Sequence, residues 1–166
     1  MPAESLQELL SEELKDLYDA EKQLTKALPK IAKAADSDQI RAAFEEHLEV
    51  TKSQVARLEE IFQALGEKPK SRPCKGMKGL LDESQEHLEE YSGARDLIDS
   101  VLIDGGKKVE HYEIAGYNSA IELAEALGHK AVSRLLRQTL TEEERMDKKL
   151  DQLGGRLLKK MVRQAA

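Results

Sequence analysis

The chain has 166 residues, 40% apolar and 35% charged, with a formal net charge of −6. That length and balance fit one ordinary domain with a buried core and a solvated exterior. An aromatic content of 4%, the acidic balance and the lack of a dominant basic cluster exclude a general nucleic-acid surface, and no apolar run approaches the roughly 20 residues of a membrane span.

Cys74 is the single cysteine, so no intrachain disulfide forms and a reducing compartment is suitable. The opening Met1-Pro2-Ala3-Glu4-Ser5 leads into amphipathic sequence without a charged and then apolar leader, which points to a cytoplasmic protein.

In chain order, Leu6, Leu10, Leu14, Leu17, Glu21, Leu24, Leu28 and Ile31 recur every three or four residues, so a first helix of about thirty residues is expected. Pro29 lies inside it as a candidate kink. Asp36-Ser37-Asp38 supplies a break and an N-cap. A second stripe runs through Ile40, Phe44, His47, Thr51, Val55, Leu58 and Phe62 to Gly66, closing an antiparallel hairpin over about 4–65. From 66 to 93 the chain is a crossover, Gly-, Pro- and Lys-rich at first, with a short helix expected from Leu80 to Tyr91. Within it Cys74 lies between basic residues, either an ordinary packed thiol or one activated by its neighbours. The second hairpin spans about 94–153. Its first helix turns Ile98, Leu102, Val109, Glu113, Ala120 and Leu127 inward, and Gly105, Gly106 and Gly116 mark close helix approach or room for a ligand. Its second uses Val132, Leu135, Leu136, Leu140, Glu143, Met146, Leu150 and Leu153. Gly154-Gly155 is expected to end it, leaving 154–166 as a basic tail read as a solvated helix.

The two hairpins are one pattern written twice. A shift of 92 residues carries Leu10 onto Leu102, Leu17 onto Val109, Ile31 onto Leu123, Ile40 onto Val132, Phe44 onto Leu136 and Leu58 onto Leu150. The same shift carries Glu21 onto Glu113. Two helix pairs joined by one long connection give an all-α fold, a ferritin-like four-helix bundle with a short fifth helix in the crossover.

Charged residues inside apolar stripes carry the chemistry, because a lone buried carboxylate costs several kcal/mol and must be protonated, paired or bound to a cation. Glu21, Glu113 and Glu143 fall in stripes. Glu110 precedes Glu113 by three residues and Asp147 follows Glu143 by four, so each pair shares a helix face. With His47 from the second helix, these six form a mostly oxygen donor set suited to iron or manganese. The competing reading leaves the acids on solvated faces, with Glu143-Arg145 or Glu110-Lys107 as surface pairs. His111 faces away from Glu113, and Tyr18, Tyr112 and Tyr117 flank the acids, as core aromatics or as proton or radical carriers.

The stretches Asp16-Leu-Tyr-Asp-Ala-Glu-Lys-Gln-Leu24, Val109-Glu-His-Tyr-Glu-Ile-Ala-Gly-Tyr117 and Leu140-Thr-Glu-Glu-Glu144, with His47-Leu48-Glu49 and the Cys-containing crossover before Gly79, resemble the YciE/YciF family of bacterial ferritin-like proteins. The resemblance covers nearly the whole chain. It implies a rubrerythrin-like bundle with a crossover helix, a homodimer, and a link to bacterial stress responses without an established reaction.

Ferritin-like diiron sites take a Glu-x-x-His pair from each of two helices, yet the residue three before His47 is Phe44. The family carries an acid just before Thr51, where this chain has Val50, and Glu144 stands three before Asp147 with Asp in place of His. Under the shift of 92, Glu143 falls on Thr51 and Asp147 on Val55, so the second helix is the depleted side. Three functions follow as alternatives: a dinuclear iron or manganese protein reacting with peroxide or dioxygen, a metal-handling protein without turnover, and a metal-free structural or partner-binding bundle. In the first, Glu110 or Glu113 would bridge the ions, and Glu21, His47, Glu143 and Asp147 would cap them.

Overall fold

The computed structural model describes residues 5–165. Residues 1–4, on which the reading of the leader and the start of the first hairpin fall, lie outside the described residues, as does Ala166. Five helices and no strand make up the described chain: α1 (Leu6–Ala34), α2 (Asp38–Ala64), α3 (Lys75–Glu90), α4 (Arg95–Ala126) and α5 (Lys130–Ala165).

Ser5 caps α1 by accepting a hydrogen bond from Glu8 N at 3.2 Å, and the helix runs unbroken through Pro29 to Ala34. The Asp36-Ser37-Asp38 break is where the sequence places it, but Ser37 makes no side-chain cap. Asp99 from α4 replaces it: its carboxylate accepts from Asp36 N at 2.8 Å and Ser37 N at 2.9 Å. Helices α2 and α4 both end on a glycine in the left-handed region, Gly66 (φ 72°) and Gly128 (φ 76°), where a side chain would be strained.

Helix α1 packs on α2 and α4, and α5 packs on α4 and α2, so the four long helices form a closed bundle. The crossover helix α3 lies outside it, against α4 and α1. It starts at Lys75, five residues before the start expected at Leu80, because Cys74 caps it: Sγ accepts from Met77 N at 3.4 Å. Cys74 is buried, its Sγ is 3.1 Å from the Tyr112 hydroxyl, and burial pushes its pKa up. It is a structural thiol, and the activated alternative is overturned.

A second correction concerns α5. Gly154-Gly155 does not end the helix, which continues to Ala165. Leu153 and Leu157 pack onto the core, and this apolar contact outweighs the roughly 1 kcal/mol that each glycine costs a helix.

The core divides into two apolar clusters. One gathers Leu10, Leu14, Leu17, Leu58, Phe62, Tyr117 and Leu136; the other gathers Leu24, Leu28, Ile40, Phe44, Leu102, Val109 and Leu150. Gly106 permits close approach in the second, since a Cβ there would meet Leu150 Cδ1 at 2.9 Å and Phe44 Cε1 at 3.2 Å. Along α1 the first cluster ends at Tyr18 and the second begins at Ala20, so Glu21 lies beside their junction.

Candidate metal centre

Each functional side chain faces inward because it occupies a stripe position between apolar residues of the two clusters. Glu21 stands between Leu17 and Leu24 on α1, and His47 one turn after Phe44 on α2. Glu110 and Glu113 stand between Val109 and Tyr117 on α4, and Glu143 between Leu140 and Met146 on α5. Glu21, Glu113 and Glu143 are 0% exposed, Glu110 is 1% exposed and His47 4%.

One donor atom from each of His47, Glu110, Glu113 and Glu143 lies within 4.8 Å of all the others. Two ligands on opposite sides of an ion, with bonds of about 2.1 Å, stand about 4.2 Å apart. The four atoms therefore close on one cation with small side-chain movement. His47 Nε2 is 3.0 Å from Glu110 Oε1 and 3.9 Å from Glu143 Oε2, yet it has no hydrogen-bond partner. Both oxygens of Glu113, both of Glu143, and Oε2 of Glu110 and of Glu21 are buried without a partner as well. Buried polar atoms are nearly always satisfied, so this concentration at one level of the bundle marks the group as one that could hold a cation.

Electrostatics agree with the geometry. Burial raises Glu21 to a pKa of about 8, with the Glu143 charge adding to it. Burial likewise raises Glu110 to about 8, with Glu21 and Asp147 adding to the shift. Glu113 and Glu143 are pushed well above the carboxylate range, first by burial and then by their acidic neighbours. Without a cation these groups are held largely neutral; a bound cation would let them ionise together.

Of the six residues read from the sequence, four converge and Glu21 stands beside them, with one oxygen engaged. The Tyr117 hydroxyl donates to Glu21 Oε1 at 2.5 Å, and the ring is buried in the first apolar cluster. Asp147 lies outside the convergent set: its Oδ1 is 3.1 Å from Nε2 of the exposed His111. Glu144 is exposed, so Glu144-x-x-Asp147 is not an inward pair. The surface-pair reading fails for Glu110 and Glu143, and Lys107 pairs with Asp151 instead.

On the depleted helix Thr51 is fully buried with its hydroxyl unpartnered. Helical spacing does not single out Arg57, which grips Glu142 with two bonds of 2.8 and 2.9 Å and donates to Thr139 at 2.7 Å, linking α2 to α5 one residue from Glu143. Its only signal is a basic residue at a half-buried helix position.

Residues 5–164 match the family model described as a domain of unknown function (DUF892). The chain belongs to this DUF892 family. It is 38% identical over 155 residues to protein YciF of Escherichia coli (strain K12), covering 93% of each chain. The crystal structure of that E. coli stress protein superimposes with a TM-score of 0.90 at 37% identity, covering 95% of this chain and 99% of that one. YcfI from Rhodopseudomonas palustris matches with a TM-score of 0.87 at 37% identity, covering 89% and 94%. A Xanthomonas campestris protein at 17% identity and a TM-score of 0.74 shares the fold, covering 97% and 99%. The DUF892 chain is thus a YciF-like helical bundle, and none of its described helices is long and apolar enough to cross a membrane.

Proposed function

We propose that this protein is a stress-associated, cytoplasmic ferritin-like homodimer that binds a carboxylate-rich dinuclear iron or manganese centre and uses it on peroxide or dioxygen, or for handling the metal. The observation that carries the reading is the convergence of His47, Glu110, Glu113 and Glu143, buried and with ligand atoms unpartnered, between two apolar clusters. The donor set fits a redox-active first-row metal, with oxygen predominating and one imidazole.

In this reading His47, Glu110, Glu113 and Glu143 would hold one ion. Glu21 offers Oε2 to a second. Glu113 interacts with Glu21 as well as with Glu110 and Glu143, which suits it to be shared. The metals would supply one-electron redox chemistry and Lewis acidity when bound. Tyr117 fixes the Glu21 carboxyl through Oε1 and leaves the other oxygen free. The raised carboxyl groups would release protons on binding cations, and the flanking Leu and Phe side chains exclude bulk water.

The test is elemental analysis of protein expressed with iron and manganese supplied, comparing the wild type with Glu21→Ala/Glu113→Ala. About two metal ions per chain in the wild type, lost in the variant, is the expected outcome. Correctly folded wild-type protein without metal would sink the reading in favour of a metal-free structural bundle.

A further inference from the structure

Two openings reach His47, and they differ in chemistry. Between α2 and α5 a groove of about 150 Å³ has the charged Glu46, Glu142, Arg145 and Lys149 along its lining together with the apolar Ala43, Val50 and Met146, and has His47 at its side. Beneath the crossover helix, between α1, α3 and α4, lies a smaller cavity of about 20 Å³. Its walls are Leu24, Leu28, Phe44, Leu102 and Val109, and His47 and Glu110 stand at its inner end. Leu81 and Ser84 of α3 and Val101 of α4 are half-buried and form the outer end.

The volume exceeds the roughly 10–15 Å³ that one water-sized molecule needs, so the space admits a single small molecule. Retaining water there requires two to four polar partners. The Ser84 hydroxyl is already committed to the Leu80 carbonyl at 2.9 Å. With a cation engaging His47 and Glu110, the remaining lining side chains are hydrocarbon, and a dry apolar void favours an apolar guest.

We propose that this cavity is a dioxygen chamber, delivering one small apolar molecule to the His47/Glu110 side of the centre, while hydrated ions and peroxide use the α2/α5 groove. The inference rests on the metal reading above and narrows its substrate to dioxygen. Val101 and Leu81 are the gatekeeping residues: neither touches the carboxylate cluster, and a larger side chain at either position fills the outer half of the cavity.

The test uses two probes. Crystals loaded anaerobically with Fe(II) and pressurised with xenon should show the gas in the apolar cavity and not in the α2/α5 groove, and Val101→Phe should exclude it. Should Val101→Phe fail to fold, Leu81→Phe closes the same space from α3. In anaerobically Fe(II)-loaded protein, dioxygen takes two electrons from two ferrous ions and two protons to leave hydrogen peroxide. The rate of that oxidation should fall about tenfold in the blocked variant, whereas oxidation by added hydrogen peroxide should change by less than about twofold. Loss of both rates together, or of neither, overturns the chamber, as does wild-type protein that takes up no xenon. A wild type that binds no iron overturns the metal centre instead, and the chamber with it.

Discussion

The Tyr117 hydroxyl reaches from α4 to Glu21 Oε1 on α1 at 2.5 Å, with both residues fully buried. This bond engages Glu21 Oε1, and Tyr117 itself is pushed well above its usual pKa, chiefly by burial. Tyr117→Phe keeps the ring in the first apolar cluster but strands the second Glu21 oxygen. The expected cost is about 1–3 kcal/mol for the metal-free protein. Urea unfolding at neutral pH measures it, and a loss below about 0.5 kcal/mol would mean the bond contributes little.

Glu113 gives a sharper separation of stability from metal binding. Both its oxygens are buried without partners, among Glu21, Glu110 and Glu143. Replacing a buried, poorly compensated acid by a packed apolar side chain is often stabilising by about 1–4 kcal/mol. Glu113→Leu is therefore expected to raise the melting temperature of the metal-free protein while abolishing metal uptake. His111→Ala should leave metal uptake unchanged, because that ring is 66% exposed and lies against the outlying Asp147. A fall in melting temperature for Glu113→Leu would instead reveal a structural partner for this acid.

What could be read from the sequence was whatever repeats with the helical period. Leu10 and Leu102, Ile40 and Val132, Phe44 and Leu136, Leu58 and Leu150 are all buried as pairs, and so are Glu21 and Glu113. A stripe position fixes the direction of a side chain but not its partner. For that reason the spacing that aligned Asp147 with Glu143 gave no hint that the outward-facing His111 would sit 3.1 Å from it. Helix ends were also hard to place. Gly154-Gly155 reads as a stop until Leu153 and Leu157 find apolar neighbours, and the start of α3 depends on the Cys74 cap.

The acid layer sets an unusual pH dependence for the metal-free protein. Glu21 and Glu110 have pKa values raised from 4.5 to about 8, so between those values the folded state holds protons that the unfolded chain has released. Their favourable contribution is complete below about pH 4.5 and is lost as pH rises through 8. Glu12 and Glu125, lowered by Lys15 and Arg137, act in the opposite sense, but Glu12 is half-buried at the surface and Glu125 exposed, and both are screened. With a chelator present, the melting temperature should fall from pH 5 to pH 8. A rise across that range would show that the acids are ionised and paired in the fold. With metal present the trend should reverse, since the cation competes with those protons.

Asp99 tests whether the scaffold can be weakened without touching the centre. Its carboxylate is 5% exposed and accepts from Asp36 N and Ser37 N, so α4 supplies the cap that α2 lacks. It lies eleven residues before Glu110, about 16 Å along the helix, beyond any direct influence on the ligands. Asp99→Ala leaves two loop amides without their acceptor at a helix N-terminus, where a carboxylate also suits the dipole. The expected loss is about 1–3 kcal/mol, with Asp99→Asn intermediate because its one carbonyl still accepts. Denaturant unfolding together with metal analysis checks both parts. Unchanged stability would rule out the clamp, and loss of metal from a folded Asp99→Ala protein would show that the α1–α2 junction positions His47 after all.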